Sequence, residues 1–222
     1  MNNVYIGYDS REVEAYNTCV NSINVNTSTG IKIIPIIRKN LKAKGIYTRQ
    51  VDTMSSTEFS FTRFLVPYLS DYKGWSIFCD CDFVFLEDIK HLFNLVEDKY
   101  AVMCCQHDYT PKNNIKMDGQ VQLAYPRKNW SSLMLWNCSH PKNKSLTPEI
   151  VSTQTGQYLH RFNWLDDSEI GSLPIEWNWL VGWYKEPQDG SPKALHFTEG
   201  GPWFKNYENC EYSDVYYRYK LL

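Results

Sequence analysis

Asp80 and Asp82 are the pair whose type and spacing point most directly to chemistry. They follow an apolar run, Trp75 to Cys79, that reads as a buried strand, and in an extended segment side chains two apart point to the same side. Their carboxylates are therefore aimed together while Cys81 faces the other way, and like charges aimed at one spot repel unless a cation lies between them. The carboxyl end of a buried strand is also where open α/β sheets keep their ligand crevice. A hard divalent cation, Mg²⁺ or Mn²⁺, is the natural occupant, because it takes carboxylate oxygens and keeps positions open for phosphate. The competing reading is a solvated loop that carries D-x-D by chance.

His107 and Asp108 follow another predicted strand and are placed for the same crevice, with no second motif to support them. His91, His140 and His160 fall in predicted helix or polar surface and take no role. Seven cysteines is an odd number, and Cys79, Cys81, Cys104, Cys105 and Cys138 lie inside apolar stretches. Buried free thiols fit that pattern better than disulfides or a zinc site, which needs C-x-x-C loops with turn residues. With 16 Tyr, 10 Phe and 8 Trp the chain is rich in rings that suit sugar stacking and a compact core equally well.

The 222 residues predict a single domain, and 43% hydrophobic with 22% charged residues is the composition of a folded one. A net charge of -2 gives no long-range pull toward polyanions, so no nucleic-acid partner is expected. No apolar run approaches the roughly 20 residues that cross a bilayer, and the N-terminus lacks the regions of a signal peptide; a cytoplasmic protein is the expectation. The four N-x-S sequons at Asn26, Asn129, Asn137 and Asn143 carry no weight in that setting.

The elements that must position Asp80 and Asp82 can be read along the chain. Val4 to Tyr8 predicts a strand, followed by a turn and a helix from Arg11 capped by Asp9 or Ser10. Ile31 to Ile37 predicts a strand that Pro35 confines to an edge or bulge, and Arg38 to Thr57 reads as a connection. Phe59 to Leu69 predicts a helix kinked or ended by Pro67. The strand at Trp75 is expected to run on through the aspartates into Phe83-Val84-Phe85, and Asp88 to cap a helix through Val96. Tyr100 to Cys105, Gln120 to Tyr125, Leu133 to Trp136 and Lys193 to Phe197 predict further strands. Pro148 to Phe162, capped by Thr147, and Asn206 to Tyr219 predict helices. Alternation of strand and helix in the first half argues an α/β fold with a mostly parallel sheet flanked by helices.

The ordered set of apolar strand, Phe61-Thr62-Arg63-Phe64 with Pro67, D-x-D, and late His196-Phe197-Thr198 followed by Gly200-Gly201 resembles the GT-A nucleotide-sugar glycosyltransferases, family 8 in particular. The resemblance runs in patches from Val4 to about Phe204. It implies one Rossmann-like GT-A domain over 1–222, with a nucleotide-binding half (1–110) and an acceptor-side half (111–222). It implies that Asp80, Asp82 and His196 hold Mn²⁺, with Mg²⁺ as the alternative. Tyr8 and Asp9 match the turn around the nucleotide, with Cys81 also assigned there. The usual asparagine-containing segment is missing after Asp9, and Arg11 is the expected substitute; Arg63 matches the arginine that reaches donor sugar and phosphates. Gly200 and Gly201 would let backbone N–H groups approach phosphate. The family's lysine beyond the histidine is replaced by Trp203, and Lys205 is the nearest basic substitute.

The resemblance also makes Asn137, Asp166 and Asp167 candidates near the reacting sugar and places Trp177-Asn178-Trp179 on the acceptor side. Structural readings stand beside these: Asn137 as a strand-end cap, Asp166-Asp167 as a helix cap, the tryptophans as core. The implied activity is metal-dependent, retaining transfer of a hexose, glucose or galactose favoured, from a UDP-sugar to a hydroxyl of a glycan, lipid-linked sugar or protein. A sugar-nucleotidyltransferase, which should carry a Gly-rich N-terminal phosphate loop, and a non-catalytic glycan-binding domain are the alternatives. The tail from Tyr212 to Lys220 is expected to be a structural helix.

Overall fold

The computed structural model describes residues 2–28, 30–50, 55–108, 127–185 and 191–220. Strand β1 (Asn2–Gly7) leads to helix α1 (Val13–Asn26), then β2 (Ile31–Ile36) and α2 (Arg38–Ala43). A 3₁₀ turn at Thr62–Leu65 runs into α3 (Val66–Leu69), followed by β3 (Trp75–Cys79), β4 (Phe83–Phe85), α4 (Lys90–Phe93) and β5 (Val102–Cys104). Next come β6 (Leu133–Asn137), α5 (Pro148–Thr153), α6 (Gly156–His160) and β7 (Ile170–Ser172). Strands β8 (Trp179–Leu180) and β9 (Ala194–His196) and helix α7 (Ser213–Lys220) follow among the described residues.

Among the described residues six strands form one sheet in the order β2-β1-β3-β6-β5-β7. All neighbours are parallel except at β6, which runs against both β3 and β5. The Pro35-bearing strand β2 lies at the edge, where a missing N–H costs no ladder bond. Strands β4, β9 and β8 make a second, three-stranded sheet, which corrects the expectation that β3 runs on into Phe83. The chain turns at Asp80, whose N–H donates to Ser132 O, and β4 then pairs with β9. Phe83 and Phe85 face the main core while Val84 faces a smaller one with Trp179, Leu195, Phe197 and Tyr216. A strand apolar on both faces is the wall between two cores.

Several boundaries differ from the sequence reading for local reasons. Helix α1 starts at Val13 behind Glu12, because the Asp9 carboxylate turns to Arg11 and Glu58 instead of capping. The connection after Arg38 contains α2. Pro67 lies in the first turn of α3, where a residue without an N–H is tolerated. Asp88 Oδ1 accepts from Lys90 N–H at 2.9 Å as expected, but the helix is only Lys90–Phe93. The helix predicted from Pro148 splits in two, each half with its own cap: Thr147 Oγ1 accepts from Ile150 N–H and Thr155 Oγ1 from Tyr158 N–H. The strand expected at Gln120 to Tyr125 lies outside the described residues. All seven cysteines are free thiols and six are buried. Among the described residues no helix is long and apolar enough to cross a membrane.

Candidate active site

Pairing of β4 with β9 sets Phe83 opposite His196, and Phe197 N–H donates to Asp82 O at 3.0 Å. The ladder thus carries Asp82 alongside the imidazole, with Nε2 3.5 Å from Asp82 Oδ1. Asp80, at the end of β3, brings its carboxylate to the same place, so that one ligand atom from each of the three residues lies within 4.8 Å of the others. These three residues are the ones that would hold a divalent cation here. Two carboxylates and one imidazole form a donor set that fits a divalent metal. The Phe83 ring stacks on His196 with centroids 4.4 Å apart, and Nδ1 of His196 is 2.8 Å from Asn178 Oδ1.

Arg63 reaches this site from the 3₁₀ turn and is spent there. Its Nη1 lies 2.7 Å from Asp80 Oδ1 and donates to Ser131 O at 2.8 Å, and the guanidinium sits against the Phe59 and Phe78 rings. Arg63 is only 5% exposed, so it acts first as a fixed counter-charge for Asp80. Tyr8, half-buried at the carboxyl end of β1, packs edge-on against Tyr16. Asp9 does not fit its expected contact with the nucleotide. Its carboxylate already accepts four hydrogen bonds, from Arg11 N–H, Nε and Nη2 and from Glu58 N–H, which exhausts its acceptor positions. Burial alone would raise its pKa, but the Arg11 and Glu58 hydrogen bonds outweigh it and hold the group below its ordinary value. Arg11 is tied to Asp9 and Ser56 O, so the pair staples the β1 turn to the segment that leads to Arg63.

Other expectations are corrected by geometry. The Cys81 thiol is in the core, which leaves only its backbone for a ligand. Gly200 N–H is committed to Phe197 O at 2.8 Å, and its φ of 114° is what calls for glycine. The space beside Gly201 is filled by the Trp203 ring, 2.2 Å from where a Cβ would sit, rather than left for phosphate. Lys205 is exposed. Asn137 lies at the wrong end of its strand: β6 is antiparallel to β3, so Leu133 meets Cys79 beside the aspartates while Asn137 meets Trp75. Its amide donates to Asp98 O and Tyr100 O, a structural role. Asp166 caps the turn before β7 in a reciprocal box with Glu169 and pairs with Lys142. Asp167 pairs with Arg127 at 2.5 Å and is 89% exposed.

Two residues already named from the sequence lie close to His196. Asn178, expected on the acceptor side, is fully buried against His196 and Ser132. The signal for it was the Trp177-Asn178-Trp179 segment, which the resemblance placed on the acceptor side rather than beside the histidine. His107 lies near His196; burial first, then the electrostatic influence of that neighbour, lowers its pKa to about 3. Its Nδ1 is 2.7 Å from Tyr184 Oη.

No protein-family model matches the sequence. Protein CDI of Arabidopsis thaliana is 56% identical over 217 residues, which cover 96% of this chain and 83% of that protein. The chain belongs to the CDI family. Among solved structures, the CDI-family chain resembles the apo-form glycosyltransferase GlyE of Streptococcus pneumoniae TIGR4 (TM-score 0.65, 16% identity, all of this chain and 60% of that one). It resembles the bifunctional glycosyltransferase WbbM (TM-score 0.64, 15% identity) and spans 100% of its own length and 52% of that chain. The galactosyltransferase LgtC, solved with donor and acceptor sugar analogues, matches with TM-score 0.61 at 8% identity over 98% of this chain and 95% of that one. The CDI-family fold is therefore GT-A, in agreement with the sequence resemblance, with a mixed, mostly parallel sheet.

Proposed function

We propose that this chain is a glycosyltransferase of the family 8 type that moves a hexose, glucose or galactose, from a UDP-sugar to an acceptor hydroxyl on a glycan, lipid-linked sugar or protein. The observation that carries the reading is convergence of Asp80, Asp82 and His196 at the carboxyl end of β3 on a GT-A sheet. A divalent ion bound there, Mn²⁺ in this reading, supplies positive charge to a departing diphosphate. Arg63 holds Asp80 in place and keeps the two carboxylates from repelling each other apart. In retaining transfer the bond from the anomeric carbon to phosphate breaks on the face where the acceptor oxygen bonds, and the acceptor proton passes to the leaving phosphate oxygen. Seven free thiols support a reducing, cytosolic setting.

The test is incubation with UDP-, GDP- and CMP-sugars, with and without Mn²⁺, measuring nucleotide release. Mn²⁺-dependent release of UDP from one sugar, reduced at least a hundredfold by Asp82→Ala, is the expected outcome. Release that ignores both the ion and the substitution would overturn the metal assignment. Pyrophosphate-dependent formation of a nucleoside triphosphate instead would make the chain a nucleotidyltransferase.

A further inference from the structure

We propose that Asn178 is a positioning residue that selects the tautomer of His196 able to bind a metal. The purpose of that selection rests on the metal reading above; its substance rests on hydrogen-bond geometry alone. Stacking on Phe83 fixes the plane of the imidazole, with an interplanar angle of 15°. A half-turn about the Cβ–Cγ bond would return the ring to the same plane with its two edges exchanged, so stacking on Phe83 alone cannot decide whether Nε2 or Cε1 faces Asp82. An in-plane partner decides it, and Asn178 Oδ1 stands 2.8 Å from Nδ1. An amide oxygen only accepts, so Nδ1 carries the proton and Nε2 presents its lone pair on the Asp82 side.

The amide itself has two senses, and the reversed one would turn an NH₂ toward Nδ1 and drive the ring proton to Nε2, where it blocks coordination. Ser132 prevents the reversal. Asn178 Nδ2 donates to Ser132 Oγ at 2.9 Å, and the Ser132 hydroxyl spends its own proton on Asn129 O at 2.6 Å. Toward Asn178 that hydroxyl can therefore only accept. The sequence Asn129 O, Ser132 Oγ, Asn178 amide, His196 ring has one consistent direction, anchored on a backbone carbonyl that has no proton to give. Ser132, Asn178 and His196 are 3%, 0% and 2% exposed, so water does not compete for these bonds.

Nitrogen NMR of metal-free, histidine-labelled protein reads the protonated ring nitrogen of His196, and Mn²⁺ titration followed by electron paramagnetic resonance reads affinity. The wild type is expected to show Nδ1–H. Asn178→Asp, which keeps an accepting oxygen, retains it; Asn178→Leu loses it and weakens Mn²⁺ binding by about 10- to 100-fold. Ser132→Ala, a smaller change that frees the amide to reverse, is expected to give mixed tautomers and decides the matter if Asn178→Leu does not fold. A wild-type Nε2–H ring, or Nδ1–H unchanged in Asn178→Leu and in Ser132→Ala, overturns the proposal. Because the tautomer is read without metal, an Nδ1–H ring that responds to these substitutions in a protein that ignores Mn²⁺ supports control by Asn178 and removes the metal reading.

Discussion

Arg63 and Asp80 are each costly to bury alone and tolerable together. The guanidinium is 6% and the carboxylate 14% exposed at side-chain level, 2.7 Å apart, with Ser131 O taking a second guanidinium proton. Removing one member of such a pair leaves the other charged in a poor solvent, a loss of about 3–5 kcal/mol. Arg63→Met keeps most of the volume between Phe59 and Phe78 and isolates the electrostatic cost. Urea unfolding of Arg63→Met should show a lower midpoint with an unchanged slope. Added Mn²⁺ should recover part of the loss, about 2.7 kcal/mol at a hundred times its dissociation constant, because a bound cation replaces the missing counter-charge. A variant as stable as the wild type would mean that Asp80 has another way to shed its charge.

At the scale of elements, the support for Arg63 begins at the end of β1. A Cβ on Gly7 would lie 2.4 Å from the Phe59 ring, which is 1% exposed and carries the Arg63 guanidinium 5.2 Å above it. Gly7→Ala should therefore cost about 1–3 kcal/mol by overpacking. Phe59→Leu in the same chain should recover part of it, a non-additivity that a double-mutant cycle in urea would measure. If the two changes simply add, Phe59 is not what Gly7 accommodates. Such contacts lie beyond sequence reading because they join residues 52 positions apart, and the same holds for the errors at the site. Apolar runs made β1, β2, β3, β5, β6 and β9 legible, and D-x-D with the late histidine made the triad legible. Strand direction was not legible: Asn137 looked placed for a sugar until β6 proved antiparallel and carried it to the far end. Nor could period reveal that Phe83-Val84-Phe85 changes sheets, since a strand buried on both faces is apolar throughout.

Over the whole molecule, the first and last helices close on each other and hold the smaller core that backs the site. Lys220 pairs with Glu14 at 2.9 Å, Asn21 Nδ2 donates to Tyr219 O, and Tyr216 is buried with Val84, Leu195 and Phe197. Stability of this assembly should depend on pH through groups folded in an unfavourable charge state. His107 is held at a pKa of about 3 by burial and then by the electrostatic influence of nearby His196, and His160 at about 3 by burial and then by Arg63, against an ordinary 6.5. Between those values the unfolded chain binds protons that the folded chain does not, so stability falls as pH drops from about 6.5 toward 3. Each histidine contributes up to about 1.4 kcal/mol per pH unit. Asp9 acts in the same sense at lower pH: its depressed pKa gives stability that is present above the unfolded value and lost as pH falls through the folded one. Urea midpoints measured from pH 7 down to pH 4 should therefore decline steeply. His160→Phe, which keeps a ring against Phe64 and gives up the contact between Nδ1 and Ser131 Oγ, should flatten the decline whatever it does to stability at neutral pH. Equal slopes in wild type and variant would show that His160 takes up its proton without unfolding, and would place the acid sensitivity on the carboxylates instead.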